Sequence, residues 1–84
     1  IGSIYQLTSS IAIIGRDSSQ DIALTDDNST SRKHASIRED NGEYWIRDEG
    51  SSNGTFVNGA KISDQKINPG DEIRIGNSAF RFEI

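Results

Sequence analysis

The strongest constraint on this chain is the spacing of its apolar residues. They come in short runs with a period of two, separated by clusters of Gly, Ser, Asn and Asp, and nowhere recur at i, i+3, i+4, i+7 as an amphipathic helix requires. Strands are expected at residues 4–8, 11–15, 22–24, 35–39, 44–48, 55–57, 61–62, 72–75 and 79–84. The last is the clearest, with Phe80, Phe82 and Ile84 on one face and Arg81 and Glu83 on the other. Residue type agrees with spacing. There are 13 Ile against 2 Leu and no Met, a balance that suits pleated surfaces better than helices. Asn41-Gly42 and Asn58-Gly59 supply residues that tolerate positive φ, which tight hairpins need. The expected fold is all-β, a two-sheet antiparallel sandwich with its loops gathered at the ends.

At 84 residues the chain is one domain, residues 1–84, and the absence of Met suggests a piece excised from a longer protein. Without Cys there is no disulfide, thiolate zinc site or cysteine nucleophile, and a single His leaves little metal chemistry. Asp21 and Asp26-Asp27-Asn28 lack the spacing of a calcium loop, so no metal or other cofactor is expected. A net charge of −4 argues against nucleic acid as partner. No run approaches the length of a spanning helix and no secretory leader is evident, so an intracellular monomer without membrane contact is expected.

Chemistry concentrates in three loop segments: Gly15-Arg16, Ser31-Arg32-Lys33-His34 and Gly50-Ser51-Ser52-Asn53-Gly54-Thr55. Guanidinium, hydroxyl, amide and open backbone N–H groups, gathered at one end of a sandwich, would form a pocket for a tetrahedral oxyanion such as a phosphate ester. Asn53 can bond both its own chain and a guest chain. The third segment is no P-loop, because its glycines are too close and no Lys follows.

In order and spacing, Gly15-Arg16, Ser31-x-x-His34, the run from Gly50 to Gly59, Gly70-Asp71-x-Ile73-x-Ile75-Gly76 and Phe80-x-Phe82 resemble the signature of the forkhead-associated (FHA) domain, from about residue 12 to the C-terminus. That resemblance implies a sandwich of about eleven strands that binds phosphothreonine peptides through its loops and is not an enzyme. It assigns phosphate contacts to Arg16, Ser31, Arg32 and Ser52, a peptide-backbone contact to Asn53, and structural support to Gly15, His34 and Gly54. Ser29 departs from members that place a further basic contact there. Two other functions compete. One is an FHA-fold scaffold that binds partners regardless of phosphorylation. The other is a hydrolase using Ser31, His34 and Asp48, for which the chain offers neither a cleft nor a nucleophile elbow.

Overall fold

A computed structural model describes residues 10–83. Nine strands follow in order: β1 (Ile11–Gly15), β2 (Ile22–Ala23), β3 (Ala35–Asp40), β4 (Glu43–Asp48), β5 (Thr55–Val57), β6 (Ala60–Ile62), β7 (Asp64–Ile67), β8 (Glu72–Ile75) and β9 (Ser78–Arg81). They form two sheets, ordered β2-β1-β3-β4-β7 and β6-β5-β8-β9. The all-β sandwich is as expected, with three differences. Nine strands are found among the described residues rather than eleven, the expected strand at 4–8 lies outside them, and the strand expected at 79–84 runs instead from Ser78 to Arg81. The pairing of β1 with β2 is parallel, because the loop after Gly15 crosses over before rejoining the sheet with Ile14 opposite Ile22. And β7 carries no apolar alternation: Asp64, Gln65 and Lys66 are exposed and only Ile67 is buried, as befits an edge strand kept polar against stray pairing.

Alternation builds the core. Ile14, Ile37, Ile46 and Ile67 of the first sheet face Val57, Ile73, Ile75 and Phe82 of the second half of the chain, with Ile46 and Ile75 wholly buried. Each such side chain contributes about 1.5–3 kcal/mol through burial. Tyr44 meets Phe82 with ring centroids 5.2 Å apart at a tilt of 56°.

Both Asn-Gly turns have the backbone that their composition demands. Asn41 and Gly42 sit at φ 54° and 81°, Asn58 and Gly59 at 51° and 85°, joining strands in which Asp40 faces Glu43 and Val57 faces Ala60. At this end of the sandwich Asp71, for which the sequence suggests only turn chemistry, accepts hydrogen bonds from the Asn68 amide and the Asn58 side chain, which hold its carboxyl below the ordinary range. The 16–20, 25–34 and 49–54 loops lie at the other end.

Candidate functional site

The site starts with a close backbone approach. A Cβ on Gly15 would stand 1.9 Å from the carbonyl oxygen of Arg32, so only glycine lets the end of β1 lie against the loop before β3. Two hydrogen bonds seal the contact, Arg16 N–H to Ser31 O (2.9 Å) and His34 N–H to Ile14 O (2.8 Å). Residues 16–20 then fold around Asp17, whose carboxyl is lowered by the backbone and hydroxyl of Ser19 and, more weakly, by the charge of Arg32. Gln20 fastens this loop through Nε2 to the Arg32 carbonyl at 3.0 Å. Arg16 and Arg32 are thus on adjoining loops, and among the described residues neither guanidinium has an ion pair or hydrogen bond.

His34 is wholly buried and joins the second loop to the third. Its Nδ1 accepts the Ser31 N–H at 3.0 Å, and its Nε2 lies 2.8 Å from the Gly54 carbonyl. An amide can only donate and a carbonyl can only accept, so these partners fix the tautomer with the proton on Nε2. Both nitrogens are spent on main chain, and the Ser31 hydroxyl is not bonded to the ring. The triad of Ser31, His34 and Asp48 is therefore not assembled. Instead, Ser31 Oγ accepts the Ser52 N–H at 3.1 Å, which leaves its hydroxyl proton to donate outward.

Asp48 shapes the third loop. Its carboxylate accepts the amides of Gly50 and Ser51, both at 3.1 Å, the Ser51 hydroxyl and, at 2.7 Å, the buried Thr55 hydroxyl. Burial pushes this carboxyl up, but the hydroxyls of Ser51 and Thr55 and the two amides outweigh it, and the net shift is downward. Gly50 and Gly54 adopt φ of 78° and 89° in the same loop, and the Gly54 amide donates to Ser51 Oγ.

Ser29 is a junction that sequence reasoning missed. Its amide donates to Asp27 Oδ1 (3.0 Å), its carbonyl accepts Asn53 Nδ2 (2.8 Å), and its hydroxyl lies 3.2 Å from Asn77 Nδ2. Its hydroxyl is an acceptor in that last contact, and Ser29 brings no positive charge to the site. Asp27 closes the knot by accepting the Asn77 amide (2.9 Å) and the Ser78 hydroxyl (2.6 Å) across the β8–β9 turn. Burial raises its carboxyl, and these partners more than offset that to leave it lowered. Thr30, 2% exposed beside it, feels the carboxylate, yet its hydroxyl makes no hydrogen bond of good geometry. Asp27, Asn77 and Asp48 belong to no motif, and only the fold shows what they hold.

The expected residues thus fall together at one end: Arg16, Ser31 and Arg32 on two stitched loops, Ser52 and Asn53 bonded to the second of these, and Gly15, His34 and Gly54 beneath. Ser52 and Asn53 are exposed, and Asn53 spends its amino group on Ser29 but keeps Oδ1 as an acceptor. What this end can do is donate: it offers cations and hydroxyls to an anion and one amide oxygen to a neighbouring N–H.

A family model described as FHA domain matches residues 12–76. The glycogen accumulation regulator GarA of Mycobacterium tuberculosis is 41% identical over 75 residues, 89% of this chain and 46% of its own length. The oxoglutarate dehydrogenase inhibitor of Corynebacterium efficiens is likewise 41% identical over 75 residues, which is 52% of its length. The chain spans about half the length of these curated relatives. Among solved structures, one from a study of phosphothreonine-dependent FHA domain interactions superposes with a TM-score of 0.92 at 36% identity, covering 99% of this chain and 85% of that one. Mycobacterium tuberculosis EmbR in complex with a low-affinity phosphopeptide gives 0.91 at 41% identity, covering 95% of this chain and 21% of that one.

Proposed function

This chain belongs to the forkhead-associated domain family, and on that premise we propose that it is a phosphothreonine-peptide recognition module serving phosphorylation-dependent protein–protein interaction in signalling. The observation that carries the reading is the set of unspent donors around Arg16 and Ser31, held in place by the buried bridge of His34 between Ser31 and Gly54. In this reading Arg16 grips the phosphate with its fork of donors, Ser31 and Ser52 add hydroxyl contacts, Arg32 adds charge, and Asn53 Oδ1 accepts a backbone N–H of the peptide. Relatives named a regulator and an inhibitor fit a binding module better than a catalyst. Three or four charge-assisted bonds of about 1.5–3 kcal/mol each sum to roughly 5–12 kcal/mol, and the cost of association takes back several of these, which leaves a weak and readily reversible complex.

Calorimetry on Arg16→Ala tests it. Removing one partner of a desolvated charge pair costs about 2–5 kcal/mol, so affinity for a phosphothreonine peptide should fall at least 30-fold or so with the fold intact. A loss of less than about threefold would remove Arg16 from the site. Equal binding of phosphorylated and unphosphorylated peptide would replace the whole reading with a phosphorylation-independent scaffold.

A further inference from the structure

Beside the third loop stands a cation that neither motif nor fold has employed. The Lys61 side chain of β6 lies against Gly54: its Cε is 3.0 Å and its Cδ 3.5 Å from where a Cβ on Gly54 would stand. The ammonium group, one bond further on, is therefore next to the backbone that follows Asn53. Lys61 does not stand alone. In the register of the second sheet it faces Phe56, which in turn faces Arg74, so the outer surface carries a row of cation, half-buried aromatic ring and cation running from the loop end across three strands. Thr55, Val57, Ile73 and Ile75 on the opposite face are buried, which fixes this row outward.

Neither Lys61 nor Arg74 makes an ion pair or side-chain hydrogen bond among the described residues, whereas Arg38, Lys66 and Arg81 all have carboxylate partners. In a chain of net charge −4, two uncompensated cations on either side of an aromatic ring mark a surface whose complement is acidic. Resting on the phosphothreonine reading above, we propose that Lys61, supported by Arg74, is a specificity-determining residue that selects phosphothreonine segments flanked by acidic side chains. The stem of Lys61 is already packed over Gly54, so little side-chain freedom is lost when its ammonium pairs with a ligand carboxylate.

The test uses two phosphothreonine peptides that differ only in carrying glutamate or glutamine on either side of the phosphorylated residue, with an unphosphorylated copy of each. An exposed pair in water is modest, and the parent should favour the glutamate peptide by about 3- to 10-fold at low salt, falling toward unity near 0.5 M NaCl. Lys61→Gln should erase most of that ratio while binding the glutamine peptide as the parent does. A parent that binds both phosphopeptides equally, or a Lys61→Gln variant that keeps the full ratio, overturns the proposal. The unphosphorylated copies keep the two readings apart, since their failure to bind upholds phosphate dependence whichever way the glutamate ratio falls.

Discussion

Gly15→Ala is the sharpest probe of how this site is built. Gly15 is not among the glycines at positive φ, so alanine suits its backbone and the whole cost is steric. The new methyl would stand 1.9 Å from the Arg32 carbonyl oxygen and 2.6 Å from its carbon, both main-chain atoms that cannot rotate away. The segments must part by about 1 Å or more to restore ordinary contact. Overpacking of this kind costs about 1–3 kcal/mol. Parting also weakens the bonds from Arg16 N–H to Ser31 O and Asp17 N–H to Arg32 O, each contributing about 0.5–1.5 kcal/mol. A total near 3 kcal/mol is a large share of the 5–15 kcal/mol typical of a domain and corresponds to a fall in Tm on the order of 15 °C. Because Arg16 and Ser31 move with the displaced segments, affinity for a phosphothreonine peptide should drop about tenfold or more even where the variant is folded. Urea unfolding followed by Trp45 fluorescence, together with calorimetry in the cold, reads both quantities. Gly42→Ala is the control: at φ 81° it is strained for a different reason, meets nothing within 4 Å, and should lose stability without losing affinity. A Gly15→Ala protein with parental stability and affinity would refute the close-approach argument.

Thr30→Val replaces a buried, unpartnered hydroxyl with a methyl of the same shape, so stability should be unchanged or rise by about 1 kcal/mol; a clear loss on urea unfolding would show that the hydroxyl donates to Asp27. Asp27, Asp48 and Asp71 all have carboxyls lowered from 3.8, so the stability they confer is complete above that value and disappears as pH falls toward the folded pKa. The urea midpoint should therefore be level from about pH 7 to 5 and fall below about pH 4, and Asp48→Asn should flatten that fall; an unchanged acid limb in the variant removes Asp48 from the account. Phosphothreonine should bind about 5- to 30-fold tighter than phosphoserine in the same peptide, through one buried methyl and a stiffer χ1, and equal affinities by calorimetry would remove the methyl pocket from the reading.

What the sequence discloses depends on whether the signal is local. Alternation such as Ile73 and Ile75 against Glu72 and Arg74 marks a strand because the period is written in neighbouring residues, and Asn41-Gly42 marks a turn because its φ values are a property of those two residues. β7 escapes notice because an edge strand with one buried residue has nothing to alternate. At the site, the ordered motif brings forward Arg16, Ser31, Arg32, Ser52 and Asn53. It does not bring forward Asp27, which in sequence is one acid among several and acquires its role only when the β8–β9 turn arrives 50 residues later. Lys61 is silent for a different reason: the Asn58-Gly59 turn places it opposite Phe56, but that its stem then leans over Gly54 is a matter of side-chain direction, which no motif records.

The ties that assemble the loop end also bear on when a newly made chain becomes competent. Ser52 reaches back 21 residues to Ser31, Asn53 24 residues to Ser29, and Ser78 51 residues to Asp27. Contacts of such span form only after the entropy of closing long loops has been met, by which time most of the sandwich is in place. A nascent chain still lacking its last strands has Arg16 and Ser31 but not the turn that secures their loop, and it should capture no phosphopeptide. In refolding experiments a labelled phosphopeptide should gain its signal in the slowest phase, never ahead of the burial of Ile46 and Ile75 around which the sheets close. Ligand that waits for the finished fold also stabilises it, by RT ln(1 + [L]/Kd), so a phosphorylated partner present at 100 times Kd would add about 2.7 kcal/mol to the unfolding free energy of a small domain with little stability to spare.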